Sequence, residues 1–406
     1  MSNKRTRLGI IFLTIFIDLV GFGIVIPVLP RYAEHFGATP MEIGWLVGIF
    51  SLMQVFAAPA WGGLSDRIGR KPVLIISVLG TAFGFFLMGA AGSVAMLIAA
   101  RAVSGVSGGN ISTAQAYIAD ITEPGQRSKA MGLVGAAFGL GFIFGPAIGG
   151  WTSSHFGFAA PMYLAGVLAL ANAVLIVAIL PESLGADVRS RRLLLPKKPL
   201  FPGLFQHMQP KAFGAAALTY FFTIAGFSIM TTLFALFLWH RFRLDEKGTG
   251  FLFALVGVIN AVIQGGLIGR LSKRFGDARL ATAGAASLSA AFLLLPLCPS
   301  IGFVILTSCL VAVGNSLTAP TLTAMASRAV DADWQGRALG VFQALGSLAR
   351  WLGPLLGGWL LAFDLADERT SYARTALWAA SLVLAAAFAC SVLLPRENQS
   401  KSRFAA

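Results

Sequence analysis

The chain is 406 residues long, 56% hydrophobic and only 12% charged, with a net charge of +14. A soluble domain carries about 25% charged residues, so this chain cannot cover its apolar side chains with polar ones and lipid has to cover them. The basic excess does not point to nucleic acid, because the aromatic residues fall inside the apolar runs rather than among the Lys and Arg.

Apolar runs of roughly 20 residues, the length that crosses a bilayer core, recur along the whole chain. They occupy about residues 8–30, 43–64, 73–93, 95–118, 130–151 and 159–180, then 213–239, 250–271, 280–299, 302–325, 338–362 and 373–394. These are twelve candidate spans of an all-α integral membrane protein. Most of the 31 Lys and Arg lie on loops that share a side with the N-terminus, a positive-inside bias that places both termini in the cytoplasm. The opening MSNKRTR has the charge of a signal peptide, but the run behind it is too long and lacks a small-residue cleavage site, so it reads as a retained first span. Cys298, Cys309 and Cys390 have neither metal-ligand spacing nor a disulfide framework, and no cofactor is expected.

Span 1 holds FLTIFIDLVGFGIVIPVLP (12–30), with one carboxylate, Asp18, in its middle. Of the 17 acids it alone sits deep inside a run. A charge at that depth costs about 2.5–3.5 kcal/mol even on a mild insertion scale. Span 2 brings Gln54 and ends in GGLSDRIGRKP, a short loop that crowds Gly62, Asp66, Arg67, Gly69, Arg70 and Lys71 together. In span 4, RAVSGVSGGNISTAQ (101–115) repeats Arg101, Ser104, Gly108, Ser112 and Gln115 at helical spacing. That predicts one polar face turned toward an internal cleft, unless Arg101 snorkels to the outer interface. At about 1.5 Å per residue, Asp18 and Arg101 differ little in depth. They are expected to meet, either as a proton site that changes with conformation or as a static pair tying spans 1 and 4. Asp120 closes span 4. Span 5 carries Gly141, Gly145, Pro146, Gly149 and Gly150, a pattern suited to close helix approach and a kink.

The polar stretch ESLGADVRSRRLLLPKKPLFPGLFQHMQPK (182–211) reads as a linker. It divides the chain into a six-helix bundle at 1–182, a cytoplasmic linker at 183–211 and a second six-helix bundle at 212–406. The halves are related. KAMGLVGAAFGLGFIFGPAIGGW (129–151) aligns without gaps to RALGVFQALGSLARWLGPLLGGW (337–359), GGLSDRIGRK (62–71) to GRLSKRFGDA (269–278), and GNISTA (109–114) to GNSLTA (314–319). A repeated six-span unit gives two parallel, pseudo-symmetric bundles about an axis along the membrane normal, with a cleft between them. Further cleft candidates are Phe221, Phe222 and Thr231 in span 7, Asn260 and Gln264 in span 8, and Gln343, Ser347 and Arg350 on one face of span 11. Arg350 stands where the first half has Phe142; it is expected either to face the cleft and meet a bound group or to bond backbone carbonyls.

The G-x-x-x-D-R-x-G-R-K loop, the glycine–proline pattern of span 5, the span-4 arginine with its glycines and the P-V-L-P end of span 1 resemble the major facilitator superfamily over all twelve spans. Within it the likeness is to the drug/proton antiporter branch that includes the tetracycline exporters. The resemblance implies a secondary transporter of the inner or plasma membrane that exports amphipathic small molecules by alternating access, driven by the proton gradient; a monomer is expected. It also implies a cytoplasmic latch, in which Asp66 caps the N-terminus of span 11 and Arg70 pairs with Asp120. Lys273 replaces Asp66 in the second copy, so a one-sided latch is expected. The glycine–proline pattern is the branch's mark of export. The chain departs from the tetracycline exporters in having no acid in span 3 or span 9. Tetracycline is therefore not carried over as the substrate, and Asp18, with Arg101 beside it, is the deep acid left for proton coupling. The alternatives are a proton symporter or uniporter that imports a metabolite, and a sensor or scaffold that moves nothing. No P-loop or hydrolytic constellation is present, so neither ATP-driven transport nor an enzyme is expected.

Overall fold

A computed structural model of the chain describes residues 4–123, 127–184, 209–331, 334–366 and 372–395. Its elements are helices. The first half has span 1 (Lys4–Val25 and Leu29–His35), span 2 (Pro40–Ile68), span 3 (Arg70–Gly89), span 4 (Val94–Ser107 and Asn110–Ile121), span 5 (Arg127–Phe156) and span 6 (Ala159–Ile179). The second has span 7 (Pro210–Phe242), span 8 (Glu246–Phe275), span 9 (Asp277–Leu294), span 10 (Ile301–Arg328), span 11 (Gln335–Ala366) and span 12 (Arg374–Val392). Eleven of these are long and apolar enough to cross a membrane. The twelfth, span 11, has 32 residues and carries Gln343, Ser347, Arg350 and Asp364. The predicted linker lies mostly outside the described residues.

Local chemistry sets where the helices start. Thr39 and Glu42 form a capping box at the head of span 2, and the Gly248 N–H donates to Asp245 at the head of span 8. Span 3 and span 9 each follow a glycine with positive φ, Gly69 at 108° and Gly276 at 81°. A side chain is strained in that conformation, which explains why both copies of the loop keep this glycine.

The halves meet where backbones approach closely. A Cβ at Gly44 would lie 2.6 Å from the Pro354 carbonyl, and one at Gly358 would press on the Pro40 carbonyl; these contacts join spans 2 and 11. By the repeat, Gly250 faces the Pro146 carbonyl and Gly150 the Glu246 carbonyl, joining spans 5 and 8. The preceding glycines look the other way: Gly149 packs on Ile24 of span 1, and Gly357 on Ile229 of span 7. The paired glycines of each motif thus build their own bundle with the first residue and dock the opposite bundle with the second.

These contacts close the end of the molecule that carries Arg31. The end that carries Arg70 is open between the halves. A Cβ at Gly62, Gly63, Gly135, Gly265, Gly266 or Gly269 would meet no atom within 4 Å, and Phe56 is 69% exposed.

Gly150→Val and Gly358→Val place a side chain against a backbone carbonyl that cannot swing away. Overpacking of this kind costs about 1–3 kcal/mol, enough to shift a two-state equilibrium about tenfold. Distances between spin labels on spans 1 and 7 at the Arg31 end should lengthen in both variants; distributions identical to the parent would contradict the contact scheme.

Candidate functional site

Asp18 lies at the middle of span 1, half-buried, beside the Asn110 side chain of span 4. Asn110 is the first residue of the second segment of span 4, because the predicted continuous helix stops at Ser107 and restarts after Gly108 and Gly109. The break takes three carbonyls out of the regular helical ladder, and side chains donate to each, alongside the Gly109 N–H at Ser107. Trp61 donates to Val106 at 2.6 Å, Ser77 to Ser107, and Gln54 to Gly108 at 3.5 Å. Backbone groups inside a bilayer have to be satisfied internally, so Trp61, Ser77 and Gln54 are what make the interruption tolerable. The new helix start then offers its positive end and the Asn110 amide to the carboxyl.

Arg101 does not meet Asp18. Its guanidinium lies over the Phe50 ring, 4.4 Å from the centroid, and it is buried with its Nε lacking a hydrogen-bond partner among the described residues. Phe50 packs on Phe22 at 5.4 Å, and Phe22 stands one turn from Asp18. The link between acid and cation therefore runs through two aromatic rings. The break in span 4 also divides the predicted polar face. Ser104 is buried and packs on Gly84 of span 3, whereas Ser112 is exposed and Gln115 half-buried. Five residues at helical spacing share a face only while the helix is continuous.

At the Arg70 end the buried Arg70 bonds Asp120 at 3.0 Å, Asp66 at 2.7 Å and the Ser65 hydroxyl. Glu182, beyond span 6, accepts the backbone N–H groups of Arg70 and Lys71 and caps span 3. The expected pairing of Arg70 with Asp120 is formed; Arg67 is exposed. The expected capping of span 11 by Asp66 involves a helix start whose first side chains, 335–337, lie outside the described residues. The second half carries a counterpart. Asp277 stands in the position of Arg70, and it pairs with Arg328 at the end of span 10, as Arg70 pairs with Asp120 at the end of span 4. Ser272 donates to Asp277 at 2.5 Å, as Ser65 serves Arg70. The second copy, read as having lost the latch acid at Lys273, holds an ion pair of inverted polarity within its own half. The signal was present in the aligned loops, where Arg70 faces Asp277.

The Arg31 end holds a cluster that no motif pointed to. Arg31 bonds Glu34 at 2.8 Å and Glu246 of the other half at 3.2 Å, and lies 3.8 Å over the Trp239 ring. Glu34 reaches His240 at 2.6 Å, and His240 stacks on Tyr372 at 4.1 Å. Burial, with Glu34 nearby, pushes the Tyr372 phenol above its ordinary range and keeps it protonated. The cluster ties span 1 to spans 7 and 8.

The remaining candidates scatter. Gln264 lies exposed in a π-helical turn, Ile263–Leu267, where Gly265 and Gly266 relax span 8. Asn260 accepts from Ser316 at 2.5 Å, and Thr231 bonds its own helix at Ser228. Gln343 is exposed. Phe221 and Phe222 are not in the cleft between the halves. They line an apolar groove of about 520 Å³ with Leu352, Leu356 and Trp359, the outward side of span 11. In span 5, Gly141 and Gly145 pack on Leu19 and Gly23 of span 1, just ahead of Pro146 within the helix.

The family model described as Major Facilitator Superfamily matches residues 11–350 and, in a second match, 216–406. The tetracycline resistance protein, class C, of Escherichia coli is 33% identical over 360 residues, covering 87% of this chain and 89% of that protein. Multidrug resistance protein 2 of Bacillus subtilis is 32% identical over 369 residues, covering 90% of each. Among solved structures, the human organic anion transporter MFSD10 matches with a TM-score of 0.72 at 24% identity, over 96% of this chain and 100% of that one. A bacterial homologue of the human lysosomal transporter Spinster matches with a TM-score of 0.79 at 16% identity, over 97% of each chain.

The inverted ion pairs give a direct test. Arg70→Ala leaves a mostly buried carboxylate without its main partner and should cost on the order of 3 kcal/mol. In the second copy Asp277 is buried and Arg328 half exposed, so Asp277→Arg, which sets a second cation against Arg328, should cost on the order of 3 kcal/mol. The reversed pair, Asp277→Arg with Arg328→Asp, should recover most of that loss in the thermal midpoint of purified protein. A double variant no more stable than Asp277→Arg alone would show that the pair contributes nothing.

Proposed function

The chain belongs to the Major Facilitator Superfamily, in its branch of tetracycline and multidrug exporters, and from that premise we propose that it exports amphipathic small molecules in exchange for protons by alternating access. The family is one of transporters, not of enzymes. The bound small molecule and the lipid bilayer are the partners this implies, and the drug-exporter kinship favours the inner membrane.

The observation that carries the proton step is the position of Asp18. It sits midway along span 1, half-buried, beside Asn110 at the start of the second segment of a broken helix. The half-helix end and the Asn110 amide favour the carboxylate; low-dielectric surroundings favour the neutral acid. An acid balanced between these influences changes charge when its surroundings change. The positive-inside bias assigns the open Arg70 end to the cytoplasm, so this conformation takes up cargo from inside while Asp18 releases its proton. Rocking of the halves would then break the glycine contacts and the Arg31 cluster and expose Asp18 to the outside, where it is reprotonated. Arg101 enters as the cation that Asp18 approaches when Phe22 and Phe50 shift. The relatives' names favour export over import of a metabolite, and the deep ionisable residues favour transport over a scaffold role.

Asp18→Asn keeps the size of the side chain and mimics its protonated state. In proteoliposomes, uptake driven by an imposed pH gradient should fall to background, while downhill exchange of the same compound persists. Full gradient-driven uptake by well-folded Asp18→Asn protein would remove Asp18 from the mechanism.

A further inference from the structure

Arg350 is placed to receive a charged ligand. It lies midway along the 32-residue span 11, and the neighbours of that helix divide its surface. Gly346 packs on Tyr220 and Gly353 on Ala225 and Ser228, which fixes the side toward span 7. Gly48 packs on Trp351, Gly44 on Pro354 and Leu355, and Gly358 on Pro40, which fixes the side toward span 2. At about 100° per residue, Gln343 and Arg350 fall in the narrow sector between those two sides, with Ser347 at the edge of the side toward span 2. Leu352, Leu356, Trp359 and Phe363 take the opposite sector and are exposed, as lipid-facing residues are. The guanidinium is therefore held between the halves rather than against lipid.

It is also underused there. Arg350 is half-buried, and its hydrogen bond is Nη2 to Ser347 Oγ at 3.1 Å, within its own helix. A guanidinium offers five N–H donors. Among the described residues no carboxylate lies within ion-pair distance of it. Asp18, the acid at comparable depth, stands on span 1 beside Asn110 and forms no ion pair with Arg350. Arg101, the other deep cation, is buried on Phe50 and withdrawn from the cleft. Among the described residues Arg350 is thus a half-buried deep cation with no carboxylate of the protein within ion-pair distance. An unanswered charge at this depth is costly and marks a functional site.

We propose that Arg350 binds an anionic group of the transported molecule, a carboxylate or sulfonate on an amphipathic body, with Ser347 and Gln343 as flanking polar contacts. This rests on the reading of the cleft as the transport site and narrows its substrate class. The planar fork suits an oxyanion held by two parallel N–H bonds. Ser347, bonded to the guanidinium, holds it in place before the ligand arrives.

The test compares aryl acids with their methyl esters (1-pyrenebutyrate, 1-naphthaleneacetate and 4-biphenylacetate) binding to the purified full-length protein by equilibrium dialysis, with protein-free micelles as the blank. Parent protein should bind the acids about tenfold or more tightly than the esters, the size of one charge-assisted contact. Arg350→Gln should bring that ratio toward one. Arg350→Lys keeps the charge but not the fork and should lower the ratio severalfold, and it carries the test if the Gln variant does not accumulate. Equal binding of acids and esters by the parent, no binding of the acids, or a ratio unchanged in the variants would overturn the proposal. No gradient is involved, so the outcome is separate from proton exchange: loss of the ratio leaves coupling through Asp18 intact, and failure of coupling leaves the ratio intact.

Discussion

The closeness of backbones across the two halves is the constraint from which the rest of the structure follows. In lipid, helices gain little from burying apolar surface against one another, so packing distance decides which contacts hold. Gly150 and Gly358 let spans 5 and 11 touch the main chain of spans 8 and 2, while inside the bundles Gly149 touches the main chain of span 1 and Gly357 packs on the Ile229 and Leu233 side chains of span 7. Contacts of this kind are short and stiff. They form completely or not at all, which is what a molecule that rocks between two closed ends requires. The Arg31 cluster adds charge pairs to the closed end, and the Arg70 end, lacking glycine contacts between the halves, stands open.

Charge is distributed in keeping with this. Near the ends of the spans, ionic groups are paired: Arg31 with Glu34 and Glu246, Arg70 with Asp66 and Asp120, Asp277 with Arg328. These pairs fasten helix ends and loops. In the middle of the bilayer the three ionisable residues are not paired with one another. Asp18 leans on Asn110, Arg101 on Phe50 and Arg350 on Ser347. Groups that held their charges in mutual salt bridges would have little reason to change with conformation or ligand. Left with weak partners, they remain available to a proton or to a cargo molecule.

Much of this was legible in the chain. The apolar runs located the spans, and the glycine–proline repeat exposed the duplication; the family resemblance of the charged loop implied that Arg70 would pair with Asp120. Other features were hidden for physical reasons. The break at Gly108–Gly109 depends on Trp61, Ser77 and Gln54 capping the freed carbonyls, and those residues lie far away in sequence. Helical spacing alone therefore kept Arg101, Ser104 and Ser112 on one face that the structure divides. The Arg31 cluster gathers residues from four separate segments, none with a motif. Phe221 and Phe222 illustrate the opposite error: aromatic residues in a span suit a cleft or a lipid-facing groove equally well, and only the packing of span 11 tells them apart. Half of the inverted pair was visible in the aligned loops, where Asp277 stands in the place of Arg70, but its partner Arg328 lies outside the aligned blocks.

The central claim is that taking up cargo and losing a proton are linked through one acid at the middle of the bilayer. The most direct measurement is the number of protons released when a transported compound binds to purified protein in weakly buffered solution, followed with a pH-sensitive dye. The account predicts release that saturates with binding, close to one proton per molecule bound, at a pH where Asp18 is still protonated in the free protein. Saturable binding at that pH with no change in proton concentration would contradict it.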